Sequence, residues 1–234
     1  MVISEKHRYV FIQIPMTGCT AVASELVQQY DGRYILSKHS TYKEFLQQAN
    51  SEERSYSVFT NIRDPFDRLV SHYHKFLSNH EDYLNPEKHK YQSRKTTRYH
   101  LARVTYIRQA QASFPDYFAH FYSSLNPMLP PPQLAIGQAQ YVVKFENLEN
   151  NFLNALQHLG INAERGLPLV NQTPGRKGAY VDHYDQGITE LAVSALGPFA
   201  RYWGYKIPPA WSLSIPQYAT SLFNLKMMVR KVVS

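Results

Sequence analysis

The sequence predicts an α/β fold, with a mainly parallel sheet flanked by helices, in a single domain over 1–234, and three observations carry that reading. Short β-rich apolar runs alternate with segments of helical period along the whole chain, the order that builds parallel sheets. One run ends in a small-residue turn, Pro15-Met16-Thr17-Gly18, that leads into a helix. Another ends at Arg63 and passes into a helix whose opening turn holds Pro65.

In order, Arg8 to Ile14 (R-Y-V-F-I-Q-I) reads as a strand stopped by Pro15. Thr20 to Tyr30 reads as a helix, because Val22, Leu26 and Tyr30 recur at the spacing of one helix face. A strand at Tyr34 to Leu36, a helix at Thr41 to Gln48 and a strand at Ser57 to Ile62 follow. Pro65 then suits a first helical turn, and Phe66, Leu69, Val70, Tyr73, Phe76 and Leu77 form an apolar stripe. Asn79 to Thr97 shows no sustained period and reads as a mobile surface loop of the kind that serves as a functional lid. Helices are expected at Leu101 to Gln111 and Pro115 to Ser124, a break at Pro127 to Pro132, and a strand at Tyr141 to Lys144. Two more helices are expected, through Leu148 to Leu159 and from Ile188 to near Gly204. Asn224 to Val233 mixes apolar residues with three cations, as in a terminal helix or tail that covers the domain or in a segment lying on an anionic membrane surface.

Composition narrows the function. With 44% hydrophobic, 14% aromatic and 18% charged residues, the chain departs from the profile of disordered proteins. The lone cysteine, Cys19, forms no internal disulfide, which fits a reducing, cytoplasmic setting. The amino terminus lacks a secretory apolar core, and no run reaches a membrane-spanning length, so a soluble protein is expected. The formal charge of +7 favours an anionic partner. A nucleic acid ranks last, since neither a basic helix nor an aromatic nucleic-acid motif is read.

A strand that ends in a small-residue turn before a helix leaves backbone N–H groups unpaired, with the helix dipole behind them. Pro15, Met16, Thr17, Gly18, Cys19 and Thr20 supply such a turn, and the hydroxyls of Thr17 and Thr20 are further donors for a phosphate or sulfate. The same turn is also ordinary α/β punctuation. Arg63 offers a planar fork of donors, and Ser71, eight residues later, reaches the same anion from its helix. The alternative is that Arg63 pairs with a carboxylate and Ser71 faces water. Both elements follow strands, so a parallel sheet brings them to its carboxyl edge. Cys19 at a helix amino terminus is a candidate nucleophile, or simply a small residue in a phosphate turn. His72 and His74 lie two apart on a helix and face different ways, so no metal is expected.

Phe11 to Ala21 (F-I-Q-I-P-M-T-G-C-T-A) and Phe59 to Tyr73 (F-T-N-I-R-D-P-F-D-R-L-V-S-H-Y) together resemble the two cofactor motifs of sulfotransferases that use 3′-phosphoadenosine 5′-phosphosulfate, PAPS. V-V-K-F-E-N-L at Val142 to Leu148 and the stretch from Tyr184 to Tyr205 are similar to later blocks of the carbohydrate-type branch. The resemblance implies a fold like that of P-loop nucleotide-binding proteins. The missing Gly-Lys-Ser/Thr signature argues against an ATPase or kinase. It also implies that Met16 to Ala21 hold the 5′-phosphosulfate, that Arg63 and Ser71 hold the 3′-phosphate, and that Arg176, Lys177 and Gly178 fold over the nucleotide. His39 is implied as the base that takes the acceptor's proton.

Two positions depart from that pattern. The family usually has lysine at the position of Met16 and a hydroxyl at the position of Ala21. A thioether supplies neither charge nor proton to the oxygen left behind as sulfonate departs. Lys38 and Lys177 are the candidates to replace that cation. The expected reaction is direct transfer of sulfonate from PAPS to an acceptor hydroxyl, on a carbohydrate by the branch resembled. The alternative is a noncatalytic nucleotide-binding protein that has lost turnover.

Overall fold

A computed structural model describes residues 1–90, 93–129, 139–168 and 178–233, with side chains through Val229. In chain order the elements are β1 (Val2–Ser4), β2 (Tyr9–Ile12), α1 (Cys19–Gln29), β3 (Arg33–Tyr34), α2 (Tyr42–Gln48), β4 (Ser57–Ile62), α3 (Pro65–Leu77), α4 (Pro86–His89), α5 (Arg94–Gln109), α6 (Phe114–Phe121), β5 (Tyr141–Lys144), α7 (Leu148–His158), α8 (Gln186–Tyr202) and α9 (Gln217–Val233). The chain forms two compact units, one from Met1–Asp64, Pro130–Gln172 and Met228–Ser234, the other from Pro65–Leu129 and Thr173–Met227.

The first unit holds the sheet, in the order β3-β1-β2-β4-β5. β2, β4 and β5 run parallel, so their carboxyl ends share one edge. β1 is antiparallel to both β2 and β3, which makes the sheet mixed at that side. β1 is too short to show a period in sequence, yet all three of its residues are buried. β3 stops at Tyr34 because Leu36, expected to extend it, has φ of 56, outside any strand geometry. Phe11 and Phe59 on the sheet pack with Val22 and Leu26 of α1 and Phe152 and Leu156 of α7, forming one core. Inside it, Glu25 is 1% exposed and receives two bonds from Arg165, Nε at 2.8 Å and Nη2 at 2.9 Å. α2 opens with a capping box in which Thr41 and Glu44 satisfy each other's backbone N–H groups.

The second unit has its own core. Phe66, Leu69, Val70, Tyr73 and Phe76 of the apolar stripe on α3 are buried against Val104 and Ile107 of α5, Phe114, Tyr117 and Phe118 of α6, and Ile188, Ala192 and Leu196 of α8, whereas Leu77, also expected in the stripe, is exposed at the end of the helix. The segment read as a mobile loop is instead partly helical. Asn85 caps α4 with Pro86 in its first turn, Ser93 caps α5, and Tyr83 is buried. The apolar period was hidden because the first two turns of α5 are polar and charged, and its buried anchors are Val104 and Ile107. α5 also corrects the reading that the chain has no basic helix, since it carries Arg94, Lys95, Arg98, Arg103 and Arg108 and no acidic residue. Among the described residues, no helix is long and apolar enough to cross a membrane.

The Glu25 pair yields a test of the first core. Arg165→Ala leaves a buried carboxylate unpaired, whereas Glu25→Gln leaves a guanidinium that reaches solvent. Arg165→Ala is therefore expected to lower the urea unfolding midpoint more than Glu25→Gln, and the reverse order would contradict it.

Candidate functional site

At the carboxyl edge of β2, the chain turns through Pro15 to Gly18 before α1. Two residues of this turn adopt left-handed backbone, Met16 at φ 69 and Gly18 at φ 75. Thr17 is 1% exposed and its hydroxyl donates to Ile14 O at 2.8 Å, so it braces the turn and is not directed at a ligand. Gly18 is the amino-terminal cap of α1 and supplies no side-chain bond, while Ala21 N donates to Gly18 O at 3.1 Å. The amides of Cys19 and Thr20 precede Ala21 N, the first donor bonded within the helix, and the helix dipole adds to their pull on an anion. Ala21 points into the first core with Val22 and Ala23.

From β4 come three polar side chains. Thr60 donates to Ile12 O at 2.8 Å and Asn61 Nδ2 donates to Thr17 O at 3.1 Å, tying β4 to the neighbouring strand and its turn. Arg63 follows, 6% exposed, with its Nη1 donating to Met16 O at 3.4 Å. Its guanidinium carbon lies 4.0 Å from the ring centre of Phe145, which follows β5. The next residue, Glu146, accepts from Asp64 N at 2.7 Å. All three parallel strands thus place a residue of this cluster at their common edge. The turn and Arg63, far apart in sequence, are neighbours.

Cys19 lies beneath the turn. Burial pushes its thiol up, so it is a poor nucleophile, and the nearby Lys38 ammonium opposes part of that shift. Lys38 therefore stands close enough to the first turn of α1 for its charge to be felt there. His39, beside it, has Nδ1 2.9 Å from Gln13 O, which fixes Nδ1 as the protonated nitrogen. The Met1 amino group reaches Gln13 Oε1 at 2.9 Å and the carbonyls of Ser37 and Lys38, both at 3.4 Å, and so holds this loop against β2. Among the described residues, no group of three or more His, Cys, Asp or Glu side chains is placed to hold a metal ion.

Residues 1–190 match the model of the Sulfotransferase family. The chain belongs to that family. No curated protein and no solved structure matches it. In this sulfotransferase, Ser71 is buried on α3 of the second unit. Gly178, in the same unit, has φ of 74, and a methyl there would meet Asp182 Oδ2 at 3.0 Å. Arg176 and Lys177 lie outside the described residues. A hollow of about 760 Å³ runs along α5 in the second unit and is lined by none of the residues singled out from the sequence. Sequence reading missed Asn61, Phe145 and Glu146. The signal for Asn61 was present as a polar residue inside the strand run S-V-F-T-N-I; Phe145 and Glu146 gave only a family block, because their role is set by what they touch.

Gly18 offers a direct check of the turn. A methyl group added there would lie 2.8 Å from Leu148 Cδ2 and 3.1 Å from Phe145 Cδ2, on backbone that L residues avoid. Gly18→Ala is expected to cost ~2 kcal/mol in chemical denaturation, from left-handed strain plus the clash. A loss within ~0.5 kcal/mol of zero would show that the turn relaxes freely.

Proposed function

We propose that this sulfotransferase moves a sulfonate from PAPS to an acceptor hydroxyl, on a carbohydrate. The observation that carries the reading is the convergence of the Met16–Gly18 turn and the buried Arg63 at one sheet edge. A row of backbone donors at a helix amino terminus and a buried guanidinium suit a nucleotide that bears an anion at each of two positions. Bound there, PAPS supplies the activated sulfonate, and adenosine 3′,5′-bisphosphate is released.

The amides of Gly18, Cys19 and Thr20 bind the 5′-phosphosulfate, and Arg63 binds the 3′-phosphate. Ser71, Arg176, Lys177 and Gly178 join them on the strength of the resemblance, which also supports the carbohydrate acceptor. His39 takes the acceptor's proton on Nε2, the nitrogen left as base when Nδ1 donates to Gln13 O. Lys38 supplies the positive charge that Met16 lacks, as its effect on the Cys19 thiol supports. Catalysis then comes mostly from positioning and from charge stabilisation.

Calorimetry with the bisphosphate beside a radiolabelled transfer assay tests the reading. Lys38→Ala is expected to lower transfer about a hundredfold or more. His39→Ala should lower turnover about a hundredfold or more with bisphosphate affinity nearly unchanged. A normal rate in either variant removes that residue from the mechanism, and absence of bisphosphate binding removes PAPS. Met16→Lys is expected to raise the rate, since it restores a donor at the leaving oxygen. Tight binding with no transfer by either the native protein or this variant would instead favour a noncatalytic nucleotide-binding protein.

A further inference from the structure

Asn61 sits where an apolar residue is expected. It is the penultimate residue of a buried strand, is 0% exposed, and follows Phe59 on the same face of β4. Its Nδ2 donates to Thr17 O at 3.1 Å, while its Oδ1 is buried with no hydrogen-bond partner among the described residues. A buried acceptor left unpaired costs stability, so a well-packed core gains nothing from a carboxamide at this position. What the carboxamide contributes is the single bond to the turn.

That bond fixes a direction. A trans peptide is planar, and its C=O and N–H point to opposite sides. Thr17 O belongs to the peptide whose N–H is that of Gly18, so drawing the carbonyl toward buried Asn61 turns the Gly18 N–H away from the core. Thr17 is buried and Gly18 is partly exposed, in keeping with that orientation. Arg63 Nη1 holds the preceding peptide through Met16 O. The left-handed backbone at Met16 and Gly18 leaves this short turn dependent on such outside restraints.

We propose that Asn61 is a positioning residue of the anion site, holding the Thr17 carbonyl so that the Gly18 N–H faces the 5′-phosphosulfate. This rests on the PAPS reading above. Asn61 touches no part of the nucleotide. Its contribution is to keep the donor aimed before the anion arrives, so its loss appears in donor binding and not in the packing of β4.

Asn61→Asp is the sharpest test, because its two protonation states differ in the one property at issue. The ionised carboxylate only accepts, and repels Thr17 O; the protonated carboxyl donates to it in place of Nδ2. Burial raises the pKa of such a carboxyl, bringing its protonation into the working range. Bisphosphate binding by calorimetry is expected to be weakened about tenfold or more at pH 8 relative to the native protein, with that ratio closing toward one at pH 5.5. The KM for PAPS should rise in step while kcat changes little. An unchanged affinity at pH 8, or a deficit that does not respond to pH, overturns the proposal. Should Asn61→Asp fail to fold, Asn61→Thr and Asn61→Val make the same comparison, as equal shapes with and without a donor. Binding at least fivefold tighter in the threonine variant supports the proposal, and equal binding overturns it. Native protein that does not bind the bisphosphate overturns the PAPS reading itself, whereas native binding with an indifferent Asn61→Asp removes Asn61 alone.

Discussion

A guanidinium that is almost wholly buried has to be met on every side, and Arg63 shows how this sheet edge is built to meet it. Its charge lies over the Phe145 ring and one of its N–H groups donates to the Met16 carbonyl. These partners follow different strands, so they meet only if β2, β4 and β5 run parallel and in register. Burying an arginine without them would cost several kcal/mol, which makes strand order and site geometry parts of one requirement. The bond from Asp64 N to Glu146 and that from Asn61 to Thr17 secure the same corner from two further directions.

Strands and helices with a clear period were legible in the sequence, and for a physical reason. β4 and β5 are β-rich runs ending at their observed residues, and α3 repeats large apolar residues on one face. The elements that escaped carry their information elsewhere. β1 has only three residues, and its strand identity comes from pairing with β2 and β3. α4 and the start of α5 are held by caps on Asn85 and Ser93, while their own side chains are polar and face outward.

The candidate site divides in the same way. Residues that carry charge or lie in a recognisable turn, such as Arg63, Gly18 and Lys38, are visible as types in a pattern. The direction of a hydroxyl is not. Thr17 has the right side chain for a ligand donor, yet its hydroxyl closes on Ile14 O within its own turn. Cys19 stands at a helix amino terminus, where thiols are often activated, yet burial outweighs the neighbouring lysine and raises its pKa. In both cases local sequence named the group, and only the surrounding structure decided its chemistry.

The left-handed backbone at Met16 restricts which side chains that position can accept. Valine, isoleucine and threonine, branched at Cβ, are penalised there, while unbranched chains are tolerated. Methionine and lysine are both unbranched and similar in reach. An exchange between them keeps the contour of the bend and alters its charge, so the electrostatic character of the loop is separable from the backbone geometry that shapes it.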